Sequence, residues 1–130
     1  MPERSADWMK QAKKDLLVAK KLAQDEVYEW SCFIAQQAAE KSIKAVYQKL
    51  GGTAWGHSLR ELLEGLRDHA DVPDSIRRDA GMLDRFYVPA RYPDGFLRGA
   101  PCEYFTKEDT GDAISGAGRI IQFCEGLLAR

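Results

Sequence analysis

The chain has 130 residues, 45% of them hydrophobic, which is enough apolar material to bury a core within one domain spanning residues 1–130. Its 19 Lys and Arg nearly cancel its 20 Asp and Glu, so no global field recruits nucleic acid or an anionic membrane, and any such binding must be local. No apolar run reaches membrane-spanning length, and the charged start Met1-Pro2-Glu3-Arg4 has no hydrophobic stretch behind it, so the expectation is a soluble protein without a signal peptide.

Helical periodicity begins near Ser5 or Asp7. Trp8, Ala12, Leu16, Ala19, Leu22 and Ala23 share one stripe, and Lys10, Lys13, Lys14, Lys20 and Lys21 line the other side as a solvated face. Asp15 is the exception: its angle places it between Trp8 and Leu22, where a carboxylate needs a cation from the second helix or from the later Arg91 loop. The second helix is predicted from about Val27 to Leu50, ending at Gly51-Gly52. Ile34, Ala38, Ala39, Ile43, Ala45, Val46 and Leu50 form its core arc, and Gln36, Gln37, Glu40, Lys41, Lys44 and Gln48 form a polar arc. That arc is either a solvated face laced with pairs such as Glu40 with Lys44, or a surface that takes a partner. Trp30 and Phe33 on the same side favour an interface or pocket wall.

Ser58-Leu59-Arg60-Glu61 reads as a capping box opening a third helix with Leu59, Leu62, Leu63 and Leu66 inward. Val72-Pro73-Asp74 punctuates the chain, and Ile76, Ala80, Leu83 and Tyr87 mark a fourth helix that should end before Pro89. From Val88 to Phe105 the pattern is irregular, and long connections of this kind are often functional. Within it Arg91 offers a planar fork of donors, Tyr92 a stacking face, and Pro93-Asp94-Gly95 the turn chemistry to hold both. The alternative role for Arg91 is to clamp the loop to the bundle through Asp15 or Glu40. Thr106-Lys107-Glu108-Asp109 caps a last helix whose stripe is Ala113, Ala117, Ile120, Ile121, Cys124, Leu127 and Leu128. Several of Gly111, Gly116, Gly118 and Gly126 should permit close helix contact. Nothing alternates with period two over a useful length, so the predicted fold is all-α, an up-and-down bundle of four to five helices.

Catalytic and metal signatures are absent. There is no glycine-rich phosphate loop, no zinc spacing and no nucleophile motif. Cys32, Cys102 and Cys124 are odd in number and far apart, which fits small core thiols in a reducing cytoplasm. No cofactor and no metal are expected.

Helix 2 with Gln37-Ala38-Ala39-Glu40-Lys41 and Lys44-Ala45, His57-Ser58-Leu59 opening helix 3, and Arg91-Tyr92-Pro93-Asp94 after helix 4 together resemble a HEPN domain. Trp8, Ala12, Asp15, Leu16 and Ala19 resemble the first helix of that family, so the likeness covers nearly the whole chain. The resemblance implies a helical bundle that dimerises, and in small prokaryotic members a pairing with a minimal nucleotidyltransferase in toxin and antitoxin modules. Other members are metal-independent ribonucleases or nucleotide-binding accessory domains. The nuclease branch carries an arginine followed after four to six residues by histidine, and this chain departs from it: the only histidines are His57 and His69, and none follows Arg91. His57 reads as a capping or packing residue, and His69 as a complement to a helix dipole.

Two function classes follow. The first is a non-catalytic homodimeric module with no catalytic residues, in which Gln37, Glu40, Lys41, Lys44, Arg91, Tyr92 and Asp94 bind a nucleotide or RNA phosphate or engage a nucleotidyltransferase, with Asp15 and His57 as structural polar residues. The second is a divergent ribonuclease using Arg91, Asp94, Tyr92 or Glu40 in place of the missing histidine. Trp30, Phe33, Trp55, Tyr87 and Phe96 supply the aromatic groups expected at a dimer contact.

Overall fold

The computed structural model describes residues 3–130, and among them every regular element is helical. The helices are α1 (Ser5–Gln24), α2 (Tyr28–Leu50), α3 (Leu59–Glu64), α4 (Asp74–Asp84), α5 (Pro101–Tyr104) and α6 (Lys107–Leu128), with a 3₁₀ turn at Pro93–Gly95. The five helices read from periodicity are present, and α5 is a single extra turn inside the segment read as irregular. Among the described residues no helix is long and apolar enough to cross a membrane.

Simple amphipathic patterning accounts for most of the bundle. α1 buries Met9, Ala12 and Ala19, α4 buries Ile76, Ala80 and Leu83, and α6 buries Ala113, Ala117, Ile120, Ile121 and Cys124. Large buried side chains such as Ile43, Leu63 and Leu83 each contribute about 1.5–3 kcal/mol through lost apolar exposure.

α2 departs from the one-sided pattern. It packs against α1, α6, α3 and α4, and its buried residues wrap over half its circumference because many are small: Ser31, Cys32, Ala35, Ala38, Ala39 and Ser42. The polar arc is therefore not a single solvated face. Gln36 and Glu40 lie at its edge and are buried, Gln36 completely.

The ends of α2 and α6 follow local chemistry, and the start of α3 does not. Gly51 takes φ 72°, the left-handed cap that glycine adopts without a Cβ penalty. The box at α6 is complete, with Thr106 N–H donating to Asp109 Oδ2 at 2.9 Å and Asp109 N–H donating to Thr106 Oγ1 at 3.1 Å. At α3 the box is only half made: Glu61 N–H donates to Ser58 Oγ at 3.3 Å, and the other partner is Asp84, from the end of α4. Its carboxylate accepts from the amides of Leu59 at 2.8 Å and Arg60 at 3.2 Å, and from Ser58 Oγ at 3.1 Å.

Close approach involves fewer glycines than expected. An added Cβ on Gly116 would lie 2.7 Å from Met82 Cε, where α6 meets α4, but nothing lies within 4 Å of one on Gly111, Gly118 or Gly126. The segment between α4 and α6 is held by rings rather than left loose. Phe96 stacks on Tyr104 with centroids 4.1 Å apart, and Phe105 lies edge-on to Phe86 at 5.5 Å.

Candidate functional site

Trp30, Phe33, Gln37, Glu40 and Lys44 recur at helical spacing and form one stripe along α2. The stripe faces the two segments that carry His57 and Arg91. Glu40 sets the arrangement, because a carboxylate only 4% exposed must be compensated. Lys44 Nζ donates to Glu40 Oε2 at 3.2 Å, His57 Nδ1 lies 3.0 Å from Oε1, and Gln37 Nε2 donates to Oε1 at 3.4 Å. Gln36 ties the same segment from the other side, donating to the His57 carbonyl at 2.9 Å and accepting from Gln37 Nε2 at 2.8 Å.

The polar chain continues into a ring stack. His57 stacks on Tyr87 with centroids 4.9 Å apart and planes 18° apart, and Phe33 tilts against Tyr87 at 5.9 Å. Arg91 sits over this stack: its Cζ is 4.5 Å from the Phe33 ring centre, 4.4 Å from that of Tyr87 and 5.0 Å from that of Tyr92. Its Nε donates to the Tyr87 carbonyl at 2.9 Å. Among the described residues no carboxylate pairs with this guanidinium. Neither Asp15 nor Glu40 clamps it; the rings and one carbonyl do.

Lys41 does not join this cluster. Its ammonium is 2.6 Å from Asp15 Oδ2, and Gln11 donates to the other oxygen of that carboxylate at 2.8 Å, so Asp15 and Lys41 tie α1 to α2. Asp94 is exposed on the 3₁₀ turn, and Tyr92 is exposed with its ring beside Arg91. Of the expected dimer aromatics, Phe33, Tyr87 and Phe96 are engaged with rings of their own chain, Trp30 is exposed although it lies edge-on to Phe33 at 6.0 Å, and Trp55 is 84% exposed.

Sequence reasoning missed several partners. Asp84 as a cap, Gln36 as a buried tether and Tyr87 as the stacking floor all depend on contacts between distant segments. So does Asp79, which binds Arg119 through two bonds of 2.8 and 2.9 Å and joins α4 to α6.

The family model described as "HEPN domain" matches residues 5–127. The chain belongs to the HEPN family. Its fold is similar to that of TT1696 from Thermus thermophilus, with a TM-score of 0.94 and 36% identity, over 97% of this chain and 99% of that one. It is also similar to ST0689, an archaeal HEPN homologue, with a TM-score of 0.82 and 39% identity over 96% and 98% of the two chains. A protein of Methanocaldococcus jannaschii named "Putative toxin MJ1304" is 26% identical over 130 residues, spanning 93% of this chain and 86% of that protein. In this HEPN chain the motif residues divide between two places: Gln37, Glu40, Lys44, His57 and Arg91 are linked in one cluster, and Asp15 and Lys41 hold the first two helices together.

Proposed function

We propose that this HEPN protein is a non-catalytic homodimeric module of a toxin–antitoxin-like pair, that its Arg91 site takes a nucleotide or RNA phosphate, and that its protein partner is a minimal nucleotidyltransferase. The observation that carries the ligand reading is the state of Arg91. Its guanidinium is held over the Phe33 and Tyr87 rings, is anchored through Nε and has no carboxylate partner among the described residues. An arginine so oriented presents its remaining donors to a phosphate, and the Tyr92 ring lies beside it for a base. Lys44 and His57 add cationic and stacking character at the same wall, while Lys41 acts through Asp15 and Asp94 is exposed on the 3₁₀ turn that follows Tyr92. The similarity to a protein named as a toxin supports the paired role, and exposed Trp30 and Trp55 support a second copy as a covering surface. Titration calorimetry with ATP and short RNA tests the reading: Arg91→Ala should weaken binding about tenfold or more. A wild-type protein that binds neither contradicts it.

One observation favours a second reading as a ribonuclease. Sequence spacing places no histidine after Arg91, yet the fold stacks His57 on the ring that also carries Arg91. With Nδ1 engaged by Glu40, Nε2 is the nitrogen of half-exposed His57 left to take a proton from a ribose 2′-hydroxyl. RNA cleavage that is lost in His57→Ala would establish that reading, and intact RNA after prolonged incubation would exclude it.

A further inference from the structure

A second strongly charged feature lies on the α3–α4 side of the bundle. Arg60, Arg77, Arg78 and Arg85 line one groove of about 690 Å³ with Gly81 and Met82 among the residues between them. Along α4 and its C-cap Arg85, the spacing of Arg77, Arg78, Gly81 and Arg85 puts all four along one edge. Gly81 allows the fourth arginine in: an added Cβ would lie 3.2 Å from Arg60 Cδ, so the Arg60 stem crosses the helix where there is no side chain to displace it. Among the described residues none of the four is in an ion pair. The neighbouring acids are already engaged, Asp79 by Arg119 and Asp84 by the amides that open α3, which leaves Asp74 as the acid lining the groove. Four guanidiniums against the one carboxylate of Asp74 make a local positive excess in a chain of net charge −1.

We propose that this groove carries the phosphodiester backbone of a single-stranded RNA. Arginine forks match successive phosphates. Arg85 also lines the depression formed with His57, Ser58, Asp84 and Tyr87, so the groove opens onto the wall of the Arg91 cluster. There the half-exposed rings of His57 and Tyr92 can meet unstacked bases. A protein partner would call for a desolvated apolar centre, and the groove supplies only half-buried Met82. The position of the strand rests on reading Arg91 as a phosphate site; the groove itself does not.

The test compares a fluorescent single-stranded RNA of about 12 nucleotides with ATP, by anisotropy and competition across a salt series, on wild type, Arg91→Ala and the double variant Arg77→Gln with Arg78→Gln. The double variant should bind the RNA about tenfold more weakly near 0.15 M salt, with a log–log salt slope smaller by about 1.4, corresponding to two lost phosphate contacts. Its ATP affinity and thermal midpoint should match wild type. If the midpoint falls, the exposed single variant Arg78→Gln replaces it, with a salt slope smaller by about 0.7 and ATP affinity unchanged. RNA affinity and salt slope unchanged in the folded variant overturn the groove, even where ATP binding at Arg91 survives. RNA binding lost in the groove variant but untouched by Arg91→Ala keeps the groove and removes the Arg91 reading. Failure of wild type to bind RNA, with poly-glutamate bound instead, overturns the RNA assignment in favour of an acidic protein surface.

Discussion

Glu40 and His57 meet at 3.0 Å across a carboxylate oxygen and Nδ1, and this contact joins the central helix of the bundle to the loop that leads into α3. The carboxylate is buried, and its other oxygen accepts from Lys44. Removing it leaves an ammonium in a half-buried position with no counter-charge. Glu40→Ala should therefore cost about 3–5 kcal/mol, read as a lower thermal midpoint in a calorimetric or circular dichroism melt. An unchanged midpoint would mean that solvent, not Glu40, satisfies Lys44.

Asp84 is expected to act as a cap in trans. Its carboxylate accepts from the Leu59 and Arg60 amides, so Asp84→Ala should cost about 0.5–2 kcal/mol, the range for losing an N-terminal cap. Hydrogen exchange at those two amides should speed up. Exchange that accelerates only at Glu61 would assign the cap to Ser58 instead.

How much of this was legible in the sequence depended on distance along the chain. The leucines of α3, the stripe of α6 and the Thr106 box were readable because periodicity and capping are local, and each has its structural counterpart. The polar arc of α2 was harder. Gln36 and Glu40 look solvent-facing by composition, and both bond His57, seventeen or more positions away, a partner that no local pattern announces. Lys41 and Lys44 sit one turn apart with similar chemistry, yet one reaches Asp15 on α1 and the other Glu40. Spacing could not separate them, because the difference lies in which neighbour α2 meets at each angle. The cap from Asp84 and the Asp79–Arg119 bridge had no local sign at all.

The glycines of α6 should respond differently to alanine. Gly118 and Gly126 face open space inside a helix, so Gly118→Ala and Gly126→Ala should each stabilise the fold by roughly 0.5–1 kcal/mol. At Gly116 the same change must displace Met82 Cε, and the gain should shrink or reverse. Equal shifts in melting midpoint at all three positions would contradict the close packing of α6 on α4.

Thiol reactivity should separate the three cysteines. Burial pushes the Cys32 and Cys124 thiols up to about 12, so their thiolates are scarce at neutral pH, whereas Cys102 is exposed. Ellman's reagent near pH 8 should titrate one thiol in the folded protein and three after denaturation. Rapid reaction of all three in the native state would show that the bundle opens around α2 and α6.

Arg91 carries the functional reading, and substitution by lysine separates its charge from its geometry. Arg91→Lys keeps the cation over Phe33, Tyr87 and Tyr92 but removes the planar fork and the Nε bond to the Tyr87 carbonyl. Calorimetric titration of wild type, Arg91→Lys and Arg91→Ala with ATP and a short single-stranded RNA is therefore the most direct measurement. The affinity should fall in the order wild type, lysine, alanine, with at least about a tenfold loss in the alanine variant and a folded bundle in all three. Equal ligand affinity in the three folded proteins would contradict the account and leave Arg91 as a fastener of its loop.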